Sequence, residues 1–158
     1  MTLSGFHIRA AQAGDGQALY DVTHLSILAS GQAFYSSEQL AGWMGARTAQ
    51  TYEAIIAKGN VMVAEHEGKL VAFVDTEGRE VTRLFLLPEA TSTGLGKHLL
   101  TLGIEHARRD YEGDIRVEAT LNAESFYAHH GFKAVERGFF SHAVGGEPIA
   151  IVHMVLEA

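Results

Sequence analysis

The sequence predicts an α+β fold in which a mixed, mostly antiparallel β-sheet is flanked by helices. Three observations carry that expectation. Short apolar runs at residues 61–64, 70–74 and 81–87 are divided by glycine-bearing turns at 66–69 and at Glu77-Gly78, which describes an antiparallel meander. A long helical pattern then follows across a Thr/Ser/Gly turn. Strands and helices are grouped rather than alternating one for one, as α+β architectures require.

Taken in order, residues 6–10 alternate and read as a strand. Leu19, Val22, Leu25 and Ile27 recur at roughly helical spacing, so a first helix opens at Asp15-Gly16, runs to about Ala29 and stops at Gly31. Ser36 or Ser37 caps a short helix reaching Trp43 or Met44. Residues 48–58, closed by Gly59-Asn60, form another helical stretch with Tyr52, Ile55 and Ile56 inward. The meander comes next, then a helix from Thr93 to about Tyr111. On that helix Leu95, Leu99 and Leu102 share one face, and Leu100, Ile104, Ala107 and Tyr111 lie on the adjoining one. A strand over 115–120, a short helix from Asn122 to His130 and strands over 132–137 and 149–156 close the chain. The order is one strand, two or three helices, the three-strand meander, a long helix, a strand, a short helix and two strands; counted with two helices before the meander it is β-α-α-β-β-β-α-β-α-β-β.

The 158 residues suit a single domain over 1–158 with a sizeable core. The absence of cysteine removes disulfides and thiolate chemistry and fits a reducing, cytoplasmic setting. The N-terminal residues carry no basic and apolar leader, and no apolar run reaches the roughly 20 residues of a membrane span. A net charge of −7 argues against nucleic acid as a partner and favours a cationic small molecule or a basic peptide.

The chemistry concentrates where the strand at 81–87 stops at Pro88 and the turn opens a helix. A Walker loop fails, because Gly96-Lys97 is followed by His98 and Thr91 stands five before Gly96. A dinucleotide fingerprint fails as well, since Gly94-x-Gly96 leads to Leu99. What remains is a turn whose N–H groups, from about Ser92 to Lys97, can surround a diphosphate with the helix dipole behind them. Gly94 and Gly96 allow close approach, and Lys97 adds a cation. A plain helix start with glycines for packing is the competing reading.

Residues 84–100, Leu-Phe-Leu-Leu-Pro-Glu-Ala-Thr-Ser-Thr-Gly-Leu-Gly-Lys-His-Leu-Leu, resemble the acyl-CoA loop of the GNAT superfamily of acetyl-CoA-dependent N-acetyltransferases. Residues 121–132, from Leu-Asn-Ala-Glu through Phe126-Tyr127 to Gly131-Phe132, resemble that family's Asn…Phe-Tyr-x-x-x-Gly-Phe segment. Residues 35–40 with Trp43 are similar to the acceptor-side helix of an uncharacterised bacterial branch. The resemblance implies a GNAT-like sheet and acetyl-CoA as co-substrate, with no metal. It places the backbone of Phe85, Leu86 and Leu87 along the pantetheine arm, with the Leu86 N–H facing the oxyanion if a family bulge is present. Thr91, Ser92, Thr93, Gly94, Leu95, Gly96 and Lys97 fall at the diphosphate, Asn122 at the cofactor arm, and Tyr127 as the acid for the departing thiolate. A phenol near pKa ~10 is comparable in acidity to an alkyl thiol. The chain departs from the family at Thr91, where Gln or Arg is usual, and at Ser92, where Gly is common. The expectation is weaker CoA binding or compensation from Lys97, His98 or the two hydroxyls.

The activity implied is direct transfer, in a ternary complex, of an acetyl group to a primary amine of a small molecule or peptide. The rival is a non-catalytic acyl-CoA-binding or sensing domain of the same fold, and a homodimer is compatible with either. Asp75, Glu80, Glu118, His24 or a water molecule are the candidate bases. Tyr35 and Trp43 are candidates for the acceptor pocket, with core packing as the alternative. Acceptor specificity is expected in the first helices and the 138–148 loop. Adjacent His129 and His130 point about 100° apart on a helix and do not chelate; His98 and His106 are eight apart.

Overall fold

The computed structural model describes residues 2–3, 5–143 and 145–158. Met1, Ser4 and, within the expected specificity loop, Val144 lie outside the described residues. The strands are β1 (Thr2–Leu3), β2 (Phe6–Ala10), β3 (Val61–His66), β4 (Lys69–Glu77), β5 (Glu80–Leu86), β6 (Ile115–Thr120), β7 (Lys133–Phe139) and β8 (Ala150–Leu156). The helices are α1 (Gly16–Ser30), α2 (Ser37–Gly42), α3 (Ala49–Ala57), α4 (Leu95–Asp110) and α5 (Glu124–His129). The strands form one sheet in the order β1-β2-β3-β4-β5-β6-β8-β7, antiparallel except for β5 against β6. The mixed, mostly antiparallel sheet matches the predicted class, with β1 as a strand the sequence pattern did not show.

Strand β4 explains the layering. Val71 to Thr76 are all buried, a run without polar alternation that suits a strand covered on both faces. Phe73 packs edge-on against Tyr52 of α3 at 6.5 Å. Val74 and Thr76 point the other way, toward α4, where Gly103 permits the approach: a Cβ there would sit 3.1 Å from Val74 Cγ2. Helices α1 and α3 therefore cover one face of the sheet and α4 the other. The inward face of α4 is Leu95, Leu99, Leu100, Gly103 and Ala107. Leu102 and Ile104 are only partly buried and Tyr111 is exposed, so the apolar arc read from sequence was too wide.

Local chemistry sets the short elements. Ser36 caps α2 in a reciprocal box: the Gln39 N–H donates to Ser36 Oγ at 3.1 Å, and the Ser36 N–H to Gln39 Oε1 at 2.9 Å. Glu53 of α3 reaches back to α1, accepting from the N–H groups of Gly14 and Gly16 at 3.1 and 2.6 Å. Pro88 stops β5 in a 3-10 turn, Pro88–Ala90. Among the described residues, no helix is long and apolar enough to cross a membrane.

Candidate active site

The site begins where two parallel strands part. β5 runs to Leu86 and β6 to Thr120, yet they pair only at Glu80 with Arg116 and Val81 with Val117. A bulge turns β5 at this point. Asp75 opposes Arg83 and Thr76 opposes Val81, which leaves Thr82 as the extra residue. Beyond the bulge β5 stays with β4, and the Leu87 N–H donates to Val71 O at 2.8 Å. Alternation along the strand then aims the N–H groups of Leu84 and Leu86 at the gap left by β6.

A cleft of about 500 Å³ fills that gap. Leu84 and Leu86 line one wall, with Gly94, Gly96 and Lys97 of the α4 start. Gly94 sits before the helix at φ 87° and Ser92 at φ 61°. The Leu95 N–H donates to Thr93 Oγ1 at 3.4 Å, and Gly94, Gly96 and Lys97 line the cleft at the helix start, where the first N–H groups have no intrahelical acceptor. A Cβ on Gly96 would meet Phe126 Cε1 at 3.5 Å and Leu86 Cδ2 at 3.8 Å, ordinary contacts with two residues that line the cleft. Thr91 and Ser92 also line the cleft.

The opposite wall comes from residues 121–130. Asn122 lies in a 3-10 turn, Leu121–Ala123, and α5 starts after it at Glu124 with no side-chain cap. Asn122 Nδ2 donates to Ser30 Oγ at 3.2 Å, a bond that spans the gap to α1. Asn122 Oδ1 is buried without a partner. Tyr127 lines the cleft and is 5% exposed, and burial raises its phenol well above the ordinary value, favouring the protonated form.

Two threonines hold the turn. Thr91 Oγ1 donates to Pro88 O at 2.7 Å and Thr93 Oγ1 to Ala90 O at 2.6 Å. Phe85, Leu87, Thr93 and Leu95 do not line the cleft. Phe85 turns to the other face against Phe73 at 5.9 Å, because neighbours along a strand alternate. Leu87 and Leu95 are buried in the core.

A family model described as the acetyltransferase (GNAT) domain matches residues 32–157. The chain belongs to the GNAT acetyltransferase family. Solved structures share its fold. A GCN5-related N-acetyltransferase from Rhodopseudomonas palustris superposes with a TM-score of 0.89 at 23% identity, covering 100% of this chain and 99% of that one. The PaiA N-acetyltransferase of Thermoplasma acidophilum, solved with coenzyme A, gives 0.75 at 20% identity over 97% and 99%. YncA of Salmonella typhimurium, solved with acetyl-CoA, gives 0.67 at 22% identity over 98% and 94%. No curated protein matches the sequence.

Within this GNAT fold the candidate bases lie away from the cleft lining. Asp75 is buried with Arg83 Nη1 at 2.5 Å, and burial lifts its carboxyl to about 6. Glu80 accepts from His142 at 3.0 Å, raising the imidazole above its ordinary value. Glu118 accepts from the Ser141 N–H at 2.8 Å and from the Ser141 hydroxyl. His24 stands on α1 edge-on to Tyr20. Glu80, Glu118 and His142 bring ligand atoms within 4.8 Å of one another, a trio that joins β5 and β6 to the 140–149 connection. Sequence spacing could not show it, because His142 is 62 residues from Glu80.

The two aromatic acceptor candidates are structural. The Tyr35 hydroxyl accepts from the Leu121 N–H at 2.9 Å and donates to Ala150 O at 2.6 Å. Trp43 is buried and stacks on Phe140. Sequence reasoning missed Ser26 and Ser30 of α1 in the cleft, and weighed His129 and His130 only as metal ligands.

Proposed function

We propose that this single-domain chain is an acetyl-CoA-dependent N-acetyltransferase that acetylates a primary amine of a small molecule or peptide by direct transfer. The observation that carries the reading is the parting of β5 and β6 beside the open N-terminus of α4, with Asn122, whose buried Oδ1 has no partner, in the lining of the resulting cleft.

The residues fit acetyl-CoA. The N–H groups of Gly94, Gly96 and Lys97 would hold the diphosphate at a helix start. Asn122 Oδ1 offers the acceptor that an amide N–H of the pantetheine arm needs. When bound, acetyl-CoA supplies an activated acyl carbon and a thiolate leaving group. The Leu86 N–H donates to the oxygen on which charge develops. The Tyr127 hydroxyl donates to the departing sulfur. Burial makes its phenol a weaker acid; the same burial raises a thiol, which narrows the gap between them. The amine loses one proton and the thiolate gains one, so the exchange is balanced. Since Asp75, Glu80, Glu118 and His24 do not line the cleft, water is the carrier of the amine proton that fits best.

A silent acyl-CoA sensor is the second reading, favoured by that missing carboxylate. Thiol release measured against amino acids, polyamines, aminoglycosides and peptides separates the two. Release above the acetyl-CoA hydrolysis background with one amine class supports transfer. Binding of acetyl-CoA with no release across the panel overturns it.

A further inference from the structure

In a chain of net charge −7, no Asp or Glu lines this cleft. Its ionisable side chains are Lys97, His129, His130 and the Tyr127 phenol. Lys97 is in the first turn of α4, and the histidines close α5 on the facing wall. The rings of His129 and His130 are 5.2 Å apart, and Phe126 holds the His130 ring edge-on at 4.7 Å. Thr91, where the resemblance places a long Gln or Arg, turns its hydroxyl into the 3-10 turn instead. The loop therefore has no long side chain at its first position, while α5 brings two protonatable rings to the same cleft.

We infer that Lys97, His129 and His130 form a phosphate-binding wall that grips the nucleotide end of the cofactor and makes that grip tighten as pH falls. The inference rests on the acetyl-CoA reading of the cleft and deepens it.

The charge environment gives the sign. An imidazole carries positive charge only when protonated, so protonation of His130 adds charge on the side of the cleft that faces Lys97. Partial burial, His129 and Lys97 hold the His130 imidazole below its ordinary value in the free protein. A bound phosphate reverses the electrostatic part, so binding takes up a proton and affinity rises as pH falls. The carboxylate on α5, Glu124, pairs with Arg137 at 3.5 Å.

The test is calorimetric titration of the full chain with coenzyme A between pH 5.5 and 8.5, for wild type and the double variant His129→Gln/His130→Gln. The 3′-phosphate of coenzyme A itself titrates near about 6, so the wild-type to variant ratio isolates the imidazoles. That ratio is expected to be about tenfold at pH 5.5 and to fall toward one at pH 8.5. Acetyl-pantetheine, which has no phosphate, is expected to bind both proteins alike. Circular dichroism confirms folding of the variant, and His130→Gln alone is the fallback should the double variant misfold. A ratio that is flat with pH, or equal losses for acetyl-pantetheine, overturns the phosphate wall while leaving the cofactor reading intact. No binding of coenzyme A by wild type at any pH overturns both.

Discussion

Arg83 Nη1 lies 2.5 Å from Asp75 Oδ2, a cross-strand pair set just where the β5 bulge begins. Asp75 is 1% exposed, and burial outweighs the attraction of Arg83, leaving the carboxyl at about 6 rather than 3.8. A folded-state value above the unfolded one means the fold favours the protonated group. Its stabilising contribution is complete below about pH 4 and is lost as pH rises to about 6, by up to about 3 kcal/mol. Asp75→Asn, uncharged and of the same shape, is expected to be as stable as wild type at pH 8 or more so, and to lack this slope. Arg83 then retains Glu77 at 3.8 Å as a counter-charge. Arg83→Met strands a buried carboxylate and is expected to lose about 3 kcal/mol at pH 8. Urea denaturation from pH 4 to 8 reads both; equal losses for the two variants would contradict the asymmetry.

In the proposed transfer Tyr127 donates to sulfur; it lines the cleft, and its hydroxyl has no hydrogen-bond partner among the described residues. Tyr127→Phe should therefore fold with stability within about 0.5 kcal/mol of wild type. Acetyl-CoA affinity should be little changed, while kcat falls at least about 100-fold. Because burial raises the phenol, no loss of rate from its ionisation is expected up to pH 9. Unchanged turnover in Tyr127→Phe would remove the acid role.

Gly96 separates stability from binding. Its hypothetical Cβ meets Phe126 at ordinary distance, so Gly96→Ala folds and gains about 0.5–1 kcal/mol of helix stability. The added methyl meets Phe126 and Leu86, both in the cleft lining, and is expected to weaken acetyl-CoA binding by about tenfold. Gly94 at φ 87° behaves differently: Gly94→Ala is expected to lose about 1 kcal/mol through backbone strain. Thermal melts beside calorimetry distinguish the pair. A Gly96→Ala protein that binds normally would move the diphosphate away from this turn.

What the sequence could tell depended on the range of the interaction. The meander and α4 were legible because apolar period and Gly/Pro punctuation act locally. Gly94, Gly96, Asn122 and Tyr127 were legible because their motifs are contiguous and their backbone neighbours place them. Leu87 and Leu95 were named for their backbone groups; their side chains lie in the core and do not line the cleft. Ser26 and Ser30 were missed because only the parting of β5 and β6 admits α1 to the cleft. The place of His130 in the cleft was not legible, because it shares a lining with Lys97 only after α5 docks.

Tyr35 shows the same limit most sharply. Its aromatic neighbours suggested a substrate pocket, yet its hydroxyl bonds to backbone 86 and 115 residues away. Thr120 pairs with Ile151, and the next rung would join Leu121 to Ala150; the Tyr35 hydroxyl occupies that rung. It thereby fixes where β6 ends and the Asn122 turn begins. Burial raises the phenol, as expected for a neutral donor committed inside the fold. Tyr35→Phe would leave the Leu121 N–H and the Ala150 carbonyl without this partner, at a cost of about 1–3 kcal/mol in urea denaturation. Amide exchange at Leu121 should accelerate along with it. Tyr35→Phe with wild-type stability and unchanged Leu121 exchange, but a raised KM for the amine, would return Tyr35 to the acceptor pocket.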